Sequence, residues 1–111
     1  MNKLTFKQIY EESEFLSILE KESSCILFKH SLTCPISQGA FDQLTAYMKE
    51  HNGINGYYLT VQESRPLSNF IADHFAIKHE SPQIFYIING EVKWHTSHGK
   101  ITKEAIEKVT L

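Results

Sequence analysis

Cys25-Ile26-Leu27-Phe28-Lys29-His30-Ser31-Leu32-Thr33-Cys34-Pro35-Ile36-Ser37 is the stretch on which the fold turns. Its first four residues, Cys25 to Phe28, form an apolar run, and Cys25 to Lys29 reads as a buried strand. From Pro35 onward the period changes: Ala40, Phe41, Leu44, Tyr47 and Met48 recur at helical spacing as far as about Glu50. Proline suits the first position of a helix, where its missing N–H would have had no partner. Cys34 therefore stands at a helix N-terminus. There the unpaired N–H groups of the first turn and the positive end of the macrodipole favour a thiolate over a thiol, and the thiolate is the nucleophilic form. Three residues on, where a dithiol redox site would carry a second cysteine, the chain has Ser37, which cannot form a disulfide.

Outward from this stretch the same reading continues. Leu4 to Ile9 is extended in character, and Ser13 is placed to cap a short helix with Phe15, Leu16 and Leu19 on its inner face. Asn52-Gly53 ends the helix that Pro35 begins. Tyr57 to Val61 reads as a strand, and Pro66 opens a helix with an apolar stripe of Leu67, Phe70, Ile71 and Phe75. Gln83 to Ile88 and Glu91 to Thr96 flank Asn89-Gly90, the signal for a hairpin with a type I′ turn. A last helix starts at Thr102, with Ile101 and Ile106 placed as a hydrophobic staple and Ala105 and Val109 packing beside them. Strands alternate with helices and end in a hairpin, so the economical architecture is a three-layer α/β/α sandwich with a mixed sheet. That is thioredoxin-like topology. In such sheets ligands approach the carboxyl ends of the strands, where the Cys34 loop lies.

With 111 residues, no repeat and no linker-like tract, the chain reads as one domain over residues 1–111. A net charge of -2 with interspersed acidic and basic residues excludes the basic face that nucleic acid or an anionic membrane would need. Apolar runs are far shorter than the roughly 20 residues of a bilayer span, and Met1 to Thr5 lacks a signal-peptide core. A cytoplasmic location is expected, with both cysteines reduced. An internal bridge is also excluded by reach, since about five extended residues at ~3.3 Å each lie between Cys25 and the loop.

Lys29-His30-Ser31 followed by Thr33-Cys34-Pro35-Ile36-Ser37 resembles the signature of monothiol bacilliredoxins of the YtxJ type, small thioredoxin-fold proteins. The resemblance covers nearly the whole chain in length and element order. It implies a glutaredoxin-like activity that removes bacillithiol, a low-molecular-weight thiol, from the cysteines of other proteins. Bacillithiol is then the thiol co-substrate, S-thiolated proteins are the clients, and no metal is expected. Cys34 matches the family's active cysteine, and Ser81-Pro82 falls where thioredoxin-like proteins place a cis-proline loop. Cys25 matches no motif position.

On this reading Cys34 is the catalytic thiol, while Thr33, Pro35, Ser37, Ser81 and Pro82 form the substrate-binding surface around it. Ser37 has two possible parts: a hydrogen bond to the Cys34 sulfur, or a solvated hydroxyl in the first turn. Lys29 and His30 would add positive charge if the loop folded back toward the sulfur. The histidines do not suggest a metal, because His74, His79, His95 and His98 fall in different elements and lack ligand spacing. A monomer is expected. Three alternatives stay open: a non-catalytic binding or thiol-buffering module modified at Cys34, a glutaredoxin-like iron-sulfur carrier, and a cysteine peroxidase.

Overall fold

The computed structural model describes residues 6–51 and 53–110. The chain runs β1 (Phe6–Gln8), α1 (Glu12–Lys21), β2 (Ser24–His30), α2 (Pro35–Glu50), β3 (Asn55–Thr60), α3 (Arg65–Phe75), β4 (Gln83–Ile88), β5 (Glu91–Ser97), a 3-10 turn (His98–Lys100) and α4 (Lys103–Thr110). Five strands form one sheet in the order β1-β3-β2-β4-β5. β1 and β2 both run parallel to β3, whereas β2 pairs antiparallel with β4 and β4 with β5. This is the thioredoxin fold expected from the element order.

β2 is the central strand, and every residue from Cys25 to His30 is buried. A strand covered on both faces needs apolar side chains at successive positions rather than alternate ones, which is why Cys25 to Phe28 is a continuous apolar run. Strand alternation then sorts the core. Cys25, Leu27, Tyr57, Leu59, Phe85 and Ile87 meet Phe15 of α1 and Leu67 and Ile71 of α3 on one face. Ile26, Phe28 and Ile84 meet Ala40, Leu44, Tyr47 and Met48 of α2 and Ile106 of α4 on the other. Each fully buried aliphatic or Phe side chain contributes about 1.5–3 kcal/mol to holding these layers together.

Local signals hold with three adjustments. α1 is capped by Glu11 rather than Ser13: the Glu11 side chain and Glu14 form a reciprocal capping box two residues earlier. Leu16, expected on the inner face, is 41% exposed, and Ile18 packs inward beside Phe15 and Leu19, the i, i+3, i+4 face of the helix. β1 covers only Phe6 to Gln8 of the Leu4 to Ile9 segment, and Leu4 and Thr5 lie outside the described residues. At the end of α2 the cap is His51, and the expected Asn52 stop also lies outside the described residues. The hairpin turn has Asn89 and Gly90 at φ 50° and 79°, both positive as a type I′ turn requires. Thr102 caps α4, its Oγ1 accepting from the Ala105 N–H at 3.1 Å, with Ile101 and Ile106 both buried.

Candidate functional site

At the carboxyl end of β2 the chain leaves the sheet at Ser31, crosses Leu32 and Thr33, and enters α2 at Pro35. Cys34 is the N-cap residue: its backbone is extended and its carbonyl accepts the Gln38 N–H at 3.1 Å, while its side chain makes no capping bond. The thiol is half-buried. Thr33 and Pro35 beside it are exposed, and the apolar side chains Leu32 and Ile36 are 55% and 54% exposed. From Ser31 to Phe41 no residue is charged. The sulfur therefore opens onto a neutral, partly apolar rim, with the unpaired N–H groups of the first turn of α2 behind it.

Ser37 takes neither part expected of it. It is fully buried, and its Oγ accepts the Ser31 N–H at 2.8 Å and lies 2.8 Å from His30 Nδ1. Among the described residues no hydrogen bond reaches the Cys34 sulfur. Ser37 thus belongs to the scaffold below the loop, out of reach of a substrate. His30 is sandwiched in the same layer, stacked 4.9 Å from Phe41 and 5.8 Å from Phe28. Burial lowers its pKa, with Asp42 opposing weakly, so neutral imidazole is favoured. In the tautomer protonated at Nε2, Nδ1 accepts the Ser37 hydroxyl proton and closes the network.

Strand alternation sends Lys29 to the other face, toward α3 and away from α2. Its Nζ donates to the Ser68 carbonyl at 3.0 Å and lies 3.1 Å from His79 Nδ1, with the Phe85 ring 5.9 Å away. No carboxylate pairs with it among the described residues, and burial lowers its pKa to about 8. Lys29 therefore does not fold back onto Cys34, contrary to the expectation from proximity in sequence. Burial and the Lys29 charge also lower the pKa of His79.

Ser81-Pro82 is a cis peptide. β4 pairs with β2 through Gln83 opposite Lys29, so one further step of the same register sets Pro82 across from His30, next to the Cys34 loop. Pro82 is buried and its carbonyl accepts the His98 N–H at 3.0 Å, while Ser81 before it is half-buried. Gln83 braces the approach to this loop, donating to the Lys78 carbonyl at 3.0 Å and accepting the Glu80 N–H at 3.3 Å.

One residue that sequence reading missed ties the site together. Gln62, just past β3, accepts the Leu32 N–H at 3.0 Å and donates to Ser31 Oγ at 3.0 Å and Thr33 Oγ1 at 3.4 Å. It clamps the three residues before Cys34. Its signal was topological: the loop after a parallel strand emerges at the same edge as the loop after its neighbour.

Cys25 is sealed in the core, and burial, helped by Glu22, pushes its pKa up to about 12. It stays a thiol. The histidines singled out in the sequence go to separate tasks: His74 packs on Phe15, His79 on Lys29, His95 near Phe85, and His98 lies 3.5 Å from Glu80. Glu50, His51 and Glu107 do converge at the far end of α2, yet the Lys103 ammonium already sits against Glu50 and lies 4.0 Å from Glu107. None of the helices among the described residues is long and apolar enough to cross a membrane.

With this geometry in place, comparison with known proteins identifies the family. Residues 7–106 match the family model of the monothiol bacilliredoxin BrxC. The chain belongs to the monothiol bacilliredoxin family. A solved thioredoxin-fold protein described as a candidate oxidoreductase is 37% identical, superposes with a TM-score of 0.91, and is matched over 96% of this chain and 95% of its own. Mitochondrial thioredoxin 3 from Saccharomyces cerevisiae is 15% identical with a TM-score of 0.75, over 96% and 92% of the two chains. A thioredoxin variant from Halobacterium salinarum is 11% identical with a TM-score of 0.77, over 98% and 92%. The last two share the fold. Bacilliredoxin membership and the thioredoxin fold together make this a thiol-redox protein of the thiol-disulfide oxidoreductase class.

Proposed function

We propose that this bacilliredoxin removes bacillithiol from S-bacillithiolated proteins through Cys34. The observation that carries the proposal is the pairing of an accessible cysteine at the N-cap of α2 with a buried, fully engaged Ser37 at the position of a second thiol. One nucleophile is available, and no partner sulfur lies on the helix to expel what it takes.

The Cys34 thiolate attacks the bacillithiol sulfur of the client's mixed disulfide in line with the S–S bond. A Cys34–bacillithiol disulfide forms, the client sulfur leaves as a thiolate, and solvent protonates it. A second bacillithiol, as thiolate, then attacks the bacillithiol sulfur of the adduct, giving bacillithiol disulfide and returning Cys34. The helix N-terminus stabilises the anionic sulfur both as attacker and as leaving group. Thr33 and Pro35 form the surface beside the sulfur, and Ser81 offers its backbone to an extended client segment in the manner of an added strand. Leu32 and Ile36 provide apolar contact on the client side. The enzyme works as a monomer in the cytoplasm, without a metal.

The test uses a client protein carrying one bacillithiol mixed disulfide, with release followed by intact mass. The protein should release bacillithiol faster than free bacillithiol does and should pass through an adduct on Cys34. Cys34→Ser should show neither. A Cys34 adduct without acceleration of release would instead make the protein a passive thiol acceptor.

A further inference from the structure

We propose that Lys29 and His79 are positioning residues: they hold the loop from Ala76 to Pro82 so that Ser81 meets the backbone of an extended client, and thereby give Cys34 a preference for peptide disulfides over small ones. This rests on the reading that Ser81 receives the client as an added strand. Among the described residues, Lys78 to Ser81 make no backbone–backbone hydrogen bond. Side chains therefore place this segment. Gln83 fastens two of its polar groups, the Lys78 carbonyl at 3.0 Å and the Glu80 N–H at 3.3 Å. The His79 ring supplies the second fastening: its Nδ1 lies 3.1 Å from Lys29 Nζ and 3.2 Å from Ser68 Oγ. Lys29 is paired with Gln83 in the β2–β4 ladder, so both fastenings start from one rung of the sheet.

The cost of Lys29 supplies an independent observation. Its side chain is fully buried in a central strand and has no carboxylate partner among the described residues, so its charge is carried at the expense of stability. A hydrocarbon side chain of similar volume would avoid that loss. Such a group persists where function uses it. Two of the three ammonium donors are engaged, one by the Ser68 carbonyl at 3.0 Å within α3 and one by His79. The first contact joins two elements that the core already packs together. Only the second reaches the loop, two residues before Ser81 and its cis peptide bond.

The fastening also has a protonation window. Nδ1 accepts from the ammonium only while the imidazole is neutral, and the bond is charge-assisted only while Lys29 is protonated. Burial, together with the Lys29 and Arg65 charges and against Glu80, lowers the pKa of His79, and burial lowers that of Lys29 to about 8. Arg65, at the head of α3, and Glu80, itself 3.5 Å from His98, are the charges that act on the ring besides Lys29. The loop is therefore held most firmly between the pH at which His79 takes up a proton and about pH 8.

The test compares two mixed disulfides of 2-mercaptoethanol at pH 7, one with acetyl-Ala-Val-Cys-Val-Ala-amide and one with acetyl-Cys-amide. They share the scissile bond, differ in the flanking backbone, and contain no bacillithiol. In each, the Cys34 thiolate attacks the mercaptoethanol sulfur, keeps the hydroxyethylthio group and releases the peptide thiolate, and intact mass follows the loss of free Cys34. The parent should react faster with the longer probe. His79→Leu should lower that preference about tenfold, and Lys29→Met about threefold because Ser68 Oγ still holds Nδ1, while both react with the short probe at the parental rate. His79→Asn, whose Oδ1 stands in for Nδ1, should keep the preference at pH 7 and also on acidification, where that of the parent falls. In Lys29→Met the weaker preference should accompany greater stability at pH 7, a combination that general loss of structure does not produce. A parent without any preference would overturn the Ser81 reading and this inference with it. A parental preference that survives in both His79→Leu and Lys29→Met would overturn this inference alone.

Discussion

Replacing Lys29 by Met should stabilise the protein near neutral pH, and the gain should vanish in alkali. Lys29 is 0% exposed and lacks a carboxylate partner among the described residues, and burial lowers its pKa from 10.5 to about 8. The sign follows from proton binding. Between pH 8 and 10.5 the unfolded chain holds a proton on this amine that the folded chain has released, so stability rises with pH across that window. Below pH 8 the folded protein carries the buried charge at its full cost, about 3 kcal/mol at ~1.36 kcal/mol per pH unit. Methionine keeps much of the volume and carries no charge. It orphans little, since the Ser68 carbonyl lies within α3 and His79 Nδ1 retains Ser68 Oγ at 3.2 Å. Lys29→Met should therefore be more stable than the parent by up to about 3 kcal/mol at pH 7, with the difference closing toward pH 10.5. Cys25 and Tyr57, whose burial raises their pKa values, lower stability in alkali in both proteins and cancel in the comparison. Urea unfolding at intervals from pH 6.5 to 10.5 measures the difference, and iodoacetamide labelling of Cys34 should proceed at the parental rate because Lys29 faces away from α2. A gap that stays constant with pH, or a variant less stable at every pH, would refute the reasoning.

Ser37→Ala should lower stability by about 1–3 kcal/mol, the cost of stranding the Ser31 N–H and His30 Nδ1 in a buried layer, and a thermal melt should register it. Gln62→Ala should leave the core intact but speed amide exchange at Leu32, whose N–H loses its acceptor. Exchange at Leu27 and Phe85, inside the sheet, should not change.

The order of layers was legible because periodicity and turn chemistry agreed along most of the chain. The apolar run at β2, the helical stripe of α2 and Asn89-Gly90 each admitted one economical structure, and together they specified the sheet. Where competing signals lay two residues apart, as with Glu11 and Ser13, the reciprocal cap won. Cys34 was legible for the same reason: a helix start is a local event, and the residue before Pro35 must be its cap. Its surroundings were not local. Ser37 is three residues away in sequence, but which way its hydroxyl points depends on how tightly α2 packs against β2, and that packing buries it against His30. Gln62 reaches the loop across the parallel pairing of β2 with β3, and Lys29 is one residue from His30 yet on the opposite side of the sheet. Alternation by itself predicts that last separation once β2 is accepted as central. Proximity in sequence suggested Lys29 as a source of charge for the thiol, whereas the pleat assigns that side of the site to His30 and gives Lys29 to the far layer, where it meets His79 and the helix α3 backbone.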